Sequence, residues 1–335
     1  MENLPPMEAL LAEKLPEGPG WQFEPKWDGF RAIVRREGAH LEILSKSGKP
    51  LARYFPEVVA LLEGLRPKRF LLDGELILPI GDSLSFDALQ ARLHPAASRI
   101  ARLARETPAQ LMLFDLLALG RRDWLTQPLA ERRPALEKFY RAQNAVGLLL
   151  SPCTLDREVA LGWLERSGGA LDGVIAKRRS EPYRPGERAM LKVKQRRSAD
   201  CVVGGVRFEE GGQAVASLLL GLYDGEGRLD HVGFVSGLAR VQKEELVATV
   251  APLLGGTGFT GKAPGGPSRW NAGRETAWEP LAPKLVAEVL YDQVTGDRFR
   301  HGTRFLRWRP DKDPRQCTFE QLVQPVAPSQ LGLAG

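Results

Sequence analysis

Apolar and polar residues alternate with a period of two from Trp21 to Leu44, through WQFE, a PKWDG turn and FRAIVRREGAHLEIL. That alternation predicts two strands around a tight connection. Pro25 has no backbone N–H to give to a ladder, so Lys26 is expected off the sheet, in the connection itself. Further strands are predicted at FLLDGELIL (70–78), LMLFDLLAL (111–119), LDGVIAKR (171–178) and MLKVKQ (190–195). Helices fall between them. PEVVALLEGL places Val58, Leu61, Leu62 and Leu65 at helical spacing, and SFDALQARL, LAERRPALEKFY and DREVALGWLERS read the same way.

The pattern changes after the polar junction QRRSAD. CVVGGVRF, AVASLLLGLY and LDHVGFVSG read as strands, KEELVATVAPLL as a helix, and LVAEVLYDQV and FRHGTRFLRW as two more strands. Three strands, a helix and two strands are what a five-stranded OB barrel needs. The Gly/Pro-rich stretch 255–267 is expected to be a loop before the fourth strand. The fold class expected is α+β, with a first domain over 1–197, an OB domain over 198–325 and a tail over 326–335.

Composition adds little beyond partners and compartment. A chain of 335 residues is long enough for two cores. The 47 Lys and Arg outnumber 41 Asp and Glu, a net charge of +6 that suits a polyanionic partner. Cys153, Cys201 and Cys317 are odd in number and far apart, which fits a reducing cytoplasm rather than a disulfide or zinc framework. No apolar run is long enough to span a membrane, and the opening MENLPPMEALLAEKLPEG is acidic and broken by prolines, unlike a secretory signal. The expectation is a cytoplasmic protein without membrane contact.

The chemistry gathers in short segments. EPKWDGFR holds Lys26, Asp28 and Arg31 around a glycine, although K-x-D-G alone recurs by chance in roughly one chain of this size in fifteen. DGELIL sets Asp73 and Glu75 on one strand face and Leu76 and Leu78 on the other. Phe114 could be core or a stacking platform, and Asp115, inside an apolar run, requires a partner. LDGVIAKR carries Asp172 and, on the opposite parity, Lys177. Lys192 and Lys194 share one face of their strand, an arrangement that is costly unless an anion sits between the two charges.

In that order these segments resemble the nucleotidyltransferase motifs of ATP-dependent DNA ligases, RNA ligases and mRNA capping enzymes. They are most similar to the short bacterial DNA ligases of the ligase C kind. The likeness extends to SKSGKPLARYFPE, SFDALQARLHPAASR and FLRWRPDKDP. It implies that Lys26 attacks the α-phosphorus of ATP to form a lysyl-AMP phosphoramide, which demands a neutral amine although free lysine titrates at about 10.4. Lys192 and Lys194 would disfavour the ammonium and hold phosphate oxygens. Arg31 and Glu75 would hold the ribose, Phe114 would stack on adenine and Glu24 would read the base. Asp172, where the family more often has glutamate, would be a metal ligand for Mg²⁺ or Mn²⁺, with Glu75 as a second. Asp28 would serve nick sealing and metal positioning. Lys46, where the family often has arginine, would meet the 5′-phosphate of the nick as a point charge. Of Arg300, Arg304, Arg307 and Arg309, the last is favoured, with Asp311 and Lys312, as the group that orients pyrophosphate.

The resemblance implies three phosphoryl transfers: AMP passes from ATP to Lys26, then to the 5′-phosphate of a nick, and is displaced by the 3′-hydroxyl. Positioning and charge neutralisation are the protein's work in such steps, which leaves no catalytic role for His94, His231 or His301. The implied partner is nicked duplex DNA, met by a monomer in DNA repair. RNA ligase, capping guanylyltransferase and an OB-type binding protein without catalysis are the competing readings.

Overall fold

The computed structural model describes residues 4–81, 83–167, 171–195, 197–209, 211, 214–238, 240–265, 277–292, 294–295, 297–299 and 303–322. The expected tail over 326–335, and with it Arg300 and His301, lies outside them. Two compact units divide between Gln195 and Arg196.

Two large sheets build the first unit, beside the two-stranded pair of Pro79–Ile80 and Ser83–Leu84. One runs in the order Leu148–Leu150, Gln110–Leu119, Arg69–Ile77, Phe30–Glu37, His40–Ser45, with Arg122–Asp123 beside Gln110–Leu119. The other runs Ala9–Ala12, Met190–Val193, Leu171–Arg178, Trp21–Trp27. The alternation seen in the sequence puts Val34, Leu72, Leu76, Leu111 and Leu113 inward, where they meet Val58 and Leu62 of the helix Pro56–Gly64 and Leu136 and Phe139 of Leu129–Gln143. A second core joins Phe23, Trp27, Val174 and Val193 of the smaller sheet to Ala160, Trp163 and Leu164 of the helix Arg157–Glu165. Asp115 has the partner its burial requires: Arg132 grips both carboxylate oxygens at 2.9 Å, and both side chains are 1% exposed.

Four features depart from the sequence reading. The strand Trp21–Trp27 continues through Pro25 and Lys26, because it is the last strand of its sheet and an edge tolerates a missing N–H. Lys26 is therefore a strand residue, and only Asp28 and Gly29 form the connection to Phe30–Glu37. The strand Met190–Val193 ends before Lys194. The acidic, proline-flanked N-terminus, given no element by its composition, contributes the parallel edge strand Ala9–Ala12, and ASRIARLARE forms the helix Ala97–Glu106.

In the second unit the strands follow the order Leu229–Val235, Val215–Tyr223, Arg197–Phe208, Val286–Tyr291, Arg304–Trp308, with Glu279–Pro280 beside Arg197–Phe208. A parallel bridge between Val235 and Thr303 joins the third strand to the start of the last. The helix Arg240–Val250 lies between the third and fourth strands in sequence, as the OB arrangement expects. Val202, Val206, Leu218, Leu220, Val232 and Val289 fill the interior, with Leu246 and Val250 packed among them.

Candidate active site

A cavity of about 1150 Å³ opens in the first unit and is lined from both sheets. Trp21–Trp27 contributes Glu24 and Lys26, Leu171–Arg178 contributes Ile175 and Lys177, and Met190–Val193 contributes Met190 and Lys192. The larger sheet supplies Arg31, Glu75 and Phe114. Cross-strand register explains why distant segments converge: Ile175 faces both Glu24 and Lys192, and Arg31 faces Glu75.

Two bulges aim the remaining groups. Leu171 pairs with Trp27 and Val174 with Pro25, so Asp172 and Gly173 together oppose Lys26. The extra residue reverses the alternation and brings Asp172 onto the face of Ile175 and Lys177, although Asp172 and Lys177 have opposite parity in the sequence. Gly173 has φ +131°, and a Cβ there would fall 2.2 Å from the Val193 carbonyl oxygen. In the larger sheet Asp73 pairs with Asp115 and Gly74 with Leu113, which leaves Phe114 as the extra residue. At Gly29 a Cβ would sit 2.1 Å from the Leu76 carbonyl oxygen, so the turn after Lys26 can approach the neighbouring strand only as glycine.

Lys26 Nζ donates to Asp172 Oδ2 at 2.5 Å, and Lys194 Nζ lies 2.9 Å from Asp172 Oδ1. One carboxylate thus joins two lysines whose side chains are 26% and 22% exposed. Burial would raise the Asp172 pKa, but the charges and hydrogen bonds of Lys26 and Lys194 outweigh it and hold the carboxyl below its usual range. Lys192 is depressed, first by burial and then by repulsion from Lys26, Lys194 and Lys46. Burial pushes Glu75 up to about 7 against the pull of Lys26 and Arg31, and its Oε1 accepts the Gly29 N–H at 3.2 Å.

The far wall is braced by buried pairs. Glu24, 2% exposed, accepts from Lys177 Nζ at 2.7 Å and from Gln22 Nε2 at 2.8 Å. Arg31 donates through Nε and Nη2 to Asp73, each at 2.5 Å, and through Nη2 to the Met7 carbonyl at 3.1 Å. Its guanidinium lies 4.7 Å from the centre of the Phe114 ring, and Lys177 Nζ lies 5.0 Å from it. Tyr183, Met7 and Glu8 were not singled out from the sequence. Tyr183 donates to Asp73 Oδ2 at 2.7 Å and accepts the Met7 N–H at 2.8 Å, and Met7 and Glu8 line the cavity. Their only signal was Met-Glu between prolines and ALLA, too short to distinguish from a loop.

Lys46 also borders the cavity and pairs with Glu8 at 3.0 Å, with its side chain 62% exposed. Among the described residues no three acidic, histidine or cysteine side chains converge as metal ligands. A divalent cation bound through one carboxylate would complete its shell with phosphate oxygens and water, the usual habit of Mg²⁺ at a nucleotide. Asp172 lies nearest the lysines, which hold both of its oxygens, and Glu75 Oε1 accepts from Gly29, so a cation at Asp172 would displace a lysine ammonium.

In the second unit Arg309 and Lys312 meet at Asp200, and Arg309 also bonds Asp311. Arg307 instead pairs with Glu288 at 2.7 Å, and Arg304 is exposed. His231 is buried, and burial together with Arg298 and Arg207 lowers it to about 3, so it stays neutral. No described helix is long and apolar enough to cross a membrane.

Comparison with known proteins agrees with this geometry. Residues 7–194 match the family model of the ATP dependent DNA ligase domain, and residues 211–312 match that of the ATP dependent DNA ligase C terminal region. The chain is 44% identical to DNA ligase C2 of Mycolicibacterium smegmatis, over 98% of this chain and 97% of that one. It is 41% identical to DNA ligase C of Mycobacterium tuberculosis, over 97% and 96%. A solved structure from a structure-function analysis of Lig E DNA ligases superposes with a TM-score of 0.55 at 17% identity, over 90% of this chain and 99% of that one, a likeness of fold. These matches favour neither a capping enzyme, nor an RNA ligase, nor a binding protein without catalysis. The cavity, its lysines and the OB unit thus have one common setting: the chain belongs to the family of ATP-dependent DNA ligases.

Proposed function

We propose that this chain seals nicks in duplex DNA, with Lys26 carrying AMP between ATP and the 5′-phosphate. The observation that carries the reading is the pair of lysines, Lys26 and Lys194, on the two oxygens of Asp172, with Lys26 itself lining a cavity of nucleotide size beside Lys192. Lys26 forms a P–N bond to the α-phosphorus as the bond to pyrophosphate breaks. The AMP then passes to a 5′-phosphate oxygen, and the nick's 3′-hydroxyl displaces it. Phe114 supplies a flat apolar face for adenine, Glu24 the wall that reads it, and Arg31 and Glu75 the side of the ribose. Lys192 and Lys194 neutralise phosphate oxygens as charge moves. Asp28 serves nick sealing, and Lys46, exposed at the rim, meets the 5′-phosphate. In the second unit Arg309, with Asp311 and Lys312, orients pyrophosphate.

Asp172 is the proposed ligand of a divalent cation, Mg²⁺ or Mn²⁺, which when bound would screen phosphate charge as a Lewis acid, and Glu75 would be an accessory ligand. We take 1–197 and 198–325 as the functional domains, acting as a monomer in the cytoplasm in DNA repair. The unpaired Cys153, Cys201 and Cys317 support the reducing compartment. Incubation with ATP labelled on the α-phosphate, in the presence of Mg²⁺ or Mn²⁺, should leave a covalent label on a denaturing gel. Lys26→Ala should remove the label without unfolding the chain. Equal labelling of the variant would exclude Lys26 as the nucleophile.

A further inference from the structure

The C-terminal cations of the second unit are built around a residue that no motif singles out. Asp200 lies in the strand Arg197–Phe208, directly opposite Glu288 of Val286–Tyr291. Carboxylates facing each other across an antiparallel pair repel unless cations intervene. Both cations come from the strand Arg304–Trp308 and the turn after it. Arg307 Nε bonds Glu288 at 2.7 Å, and Arg309 Nη1 bonds the two oxygens of Asp200 at 3.0 and 3.1 Å. Lys312 Nζ comes within 3.5 Å of the same carboxylate.

Asp200 is firmly held. Its N–H donates to Gln321 Oε1 at 2.8 Å, its carbonyl accepts from Gln321 Nε2 at 3.0 Å, and its side chain is 14% exposed. Arg309 Nε and Nη2 instead bond Asp311, whose side chain is 63% exposed and which sits two residues on in the same turn. The guanidinium therefore has a fixed corner at Nη1 and a replaceable edge at Nε and Nη2. That edge is the one a phosphate takes in bidentate fashion.

We propose that Asp200 is the positioning residue of the pyrophosphate-orienting segment: it anchors Arg309 through Nη1 and draws Lys312 alongside, while Asp311 occupies the Nε/Nη2 edge until a phosphate replaces it. The inference rests on the role given above to Arg309 and Lys312. Asp200 touches no substrate. Its work is to keep two cations at a fixed spacing, so that an incoming triphosphate meets an ordered fork instead of two mobile side chains.

The test uses the full chain and two reactions: self-adenylation with ATP, and sealing of a nick that already carries AMP. Asp200→Asn keeps the shape of the side chain but weakens its hold on both cations. It should slow self-adenylation by about ten-fold or more, mainly through a higher KM for ATP, and leave sealing of the pre-adenylated nick within about two-fold. Loss of both reactions would mark Asp200 as a folding residue and overturn the proposal. So would unchanged self-adenylation in Asp200→Asn alongside a loss in Arg309→Ala. If Arg309→Ala itself adenylates normally, what fails is the assignment of this segment to pyrophosphate, which separates the two ideas.

Discussion

Each unit holds a cluster of cations around one carboxylate, and the two clusters differ in what surrounds them. Lys26 and Lys194 hold Asp172 while Lys26 and Lys192 line the cavity, and burial with repulsion from Lys26 and Lys194 depresses the Lys192 pKa. Around Asp200, Arg309 and Lys312 lie in a surface turn with Asp311, whose hydrogen bonds to Arg309 lower its carboxyl to about 2. The first cluster uses lysines, compact charges that can lose a proton and become nucleophiles. The second relies on an arginine fork that stays charged and recognises phosphate by shape. A reactive amine belongs in a cavity that can seat its substrate, and an orienting group where a ligand can displace its partner.

The largest expected effect breaks the first cluster. Asp172→Asn removes the charge shared by Lys26 and Lys194, and self-adenylation should fall by about a hundred-fold or more, read from labelled ATP. An effect below about three-fold would mean that the lysines are placed without it. Next is the wall behind them: Lys177→Ala leaves Glu24 buried without its cation, a loss of about 3–5 kcal/mol that a denaturant titration would reveal. The surface turn has no pair so enclosed. A loss below about 1 kcal/mol would place Lys177–Glu24 with ordinary surface pairs.

A smaller effect concerns pH. Burial raises Glu75 from 4.5 to about 7, so in the folded protein it keeps a proton that the unfolded chain gives up earlier. Its contribution to stability is complete below pH about 4.5 and is lost as the pH rises through about 7. Glu75→Gln cannot ionise, so the variant should gain on the unaltered protein between those values and hold its advantage above them. Denaturation midpoints at both ends of the window check this, and a constant difference would show that Glu75 titrates as an exposed carboxyl does.

Much of this arrangement was legible in the sequence, for physical reasons. Short apolar-rich runs marked the strands that carry Glu75, Phe114 and Asp172, and Asp115 inside one such run demanded the partner found in Arg132. The order of strands and helix marked the OB unit. Register irregularities were not legible. A bulge adds one residue without changing the composition, so parity set Asp172 against Lys177 when the folded strand puts them together. Pro25 misled for a related reason: its cost depends on whether the strand is central or at an edge, and only the sheet order reveals that. Tyr183 and Asp200 were invisible because each works through a partner more than 100 residues away.

The measurement that tests the division of labour most directly compares Lys194→Ala with Arg309→Ala on the two substrates, ATP alone and a pre-adenylated nick. A lysine that touches phosphate oxygens throughout should matter in both reactions, whereas a group that orients pyrophosphate has no task once pyrophosphate has left. Lys194→Ala should impair both, and Arg309→Ala should lose self-adenylation yet still seal the pre-adenylated nick. If Arg309→Ala seals that nick no better than it seals an ordinary nick with ATP, the two clusters do not divide the steps between them, and the C-terminal segment acts on DNA or on folding.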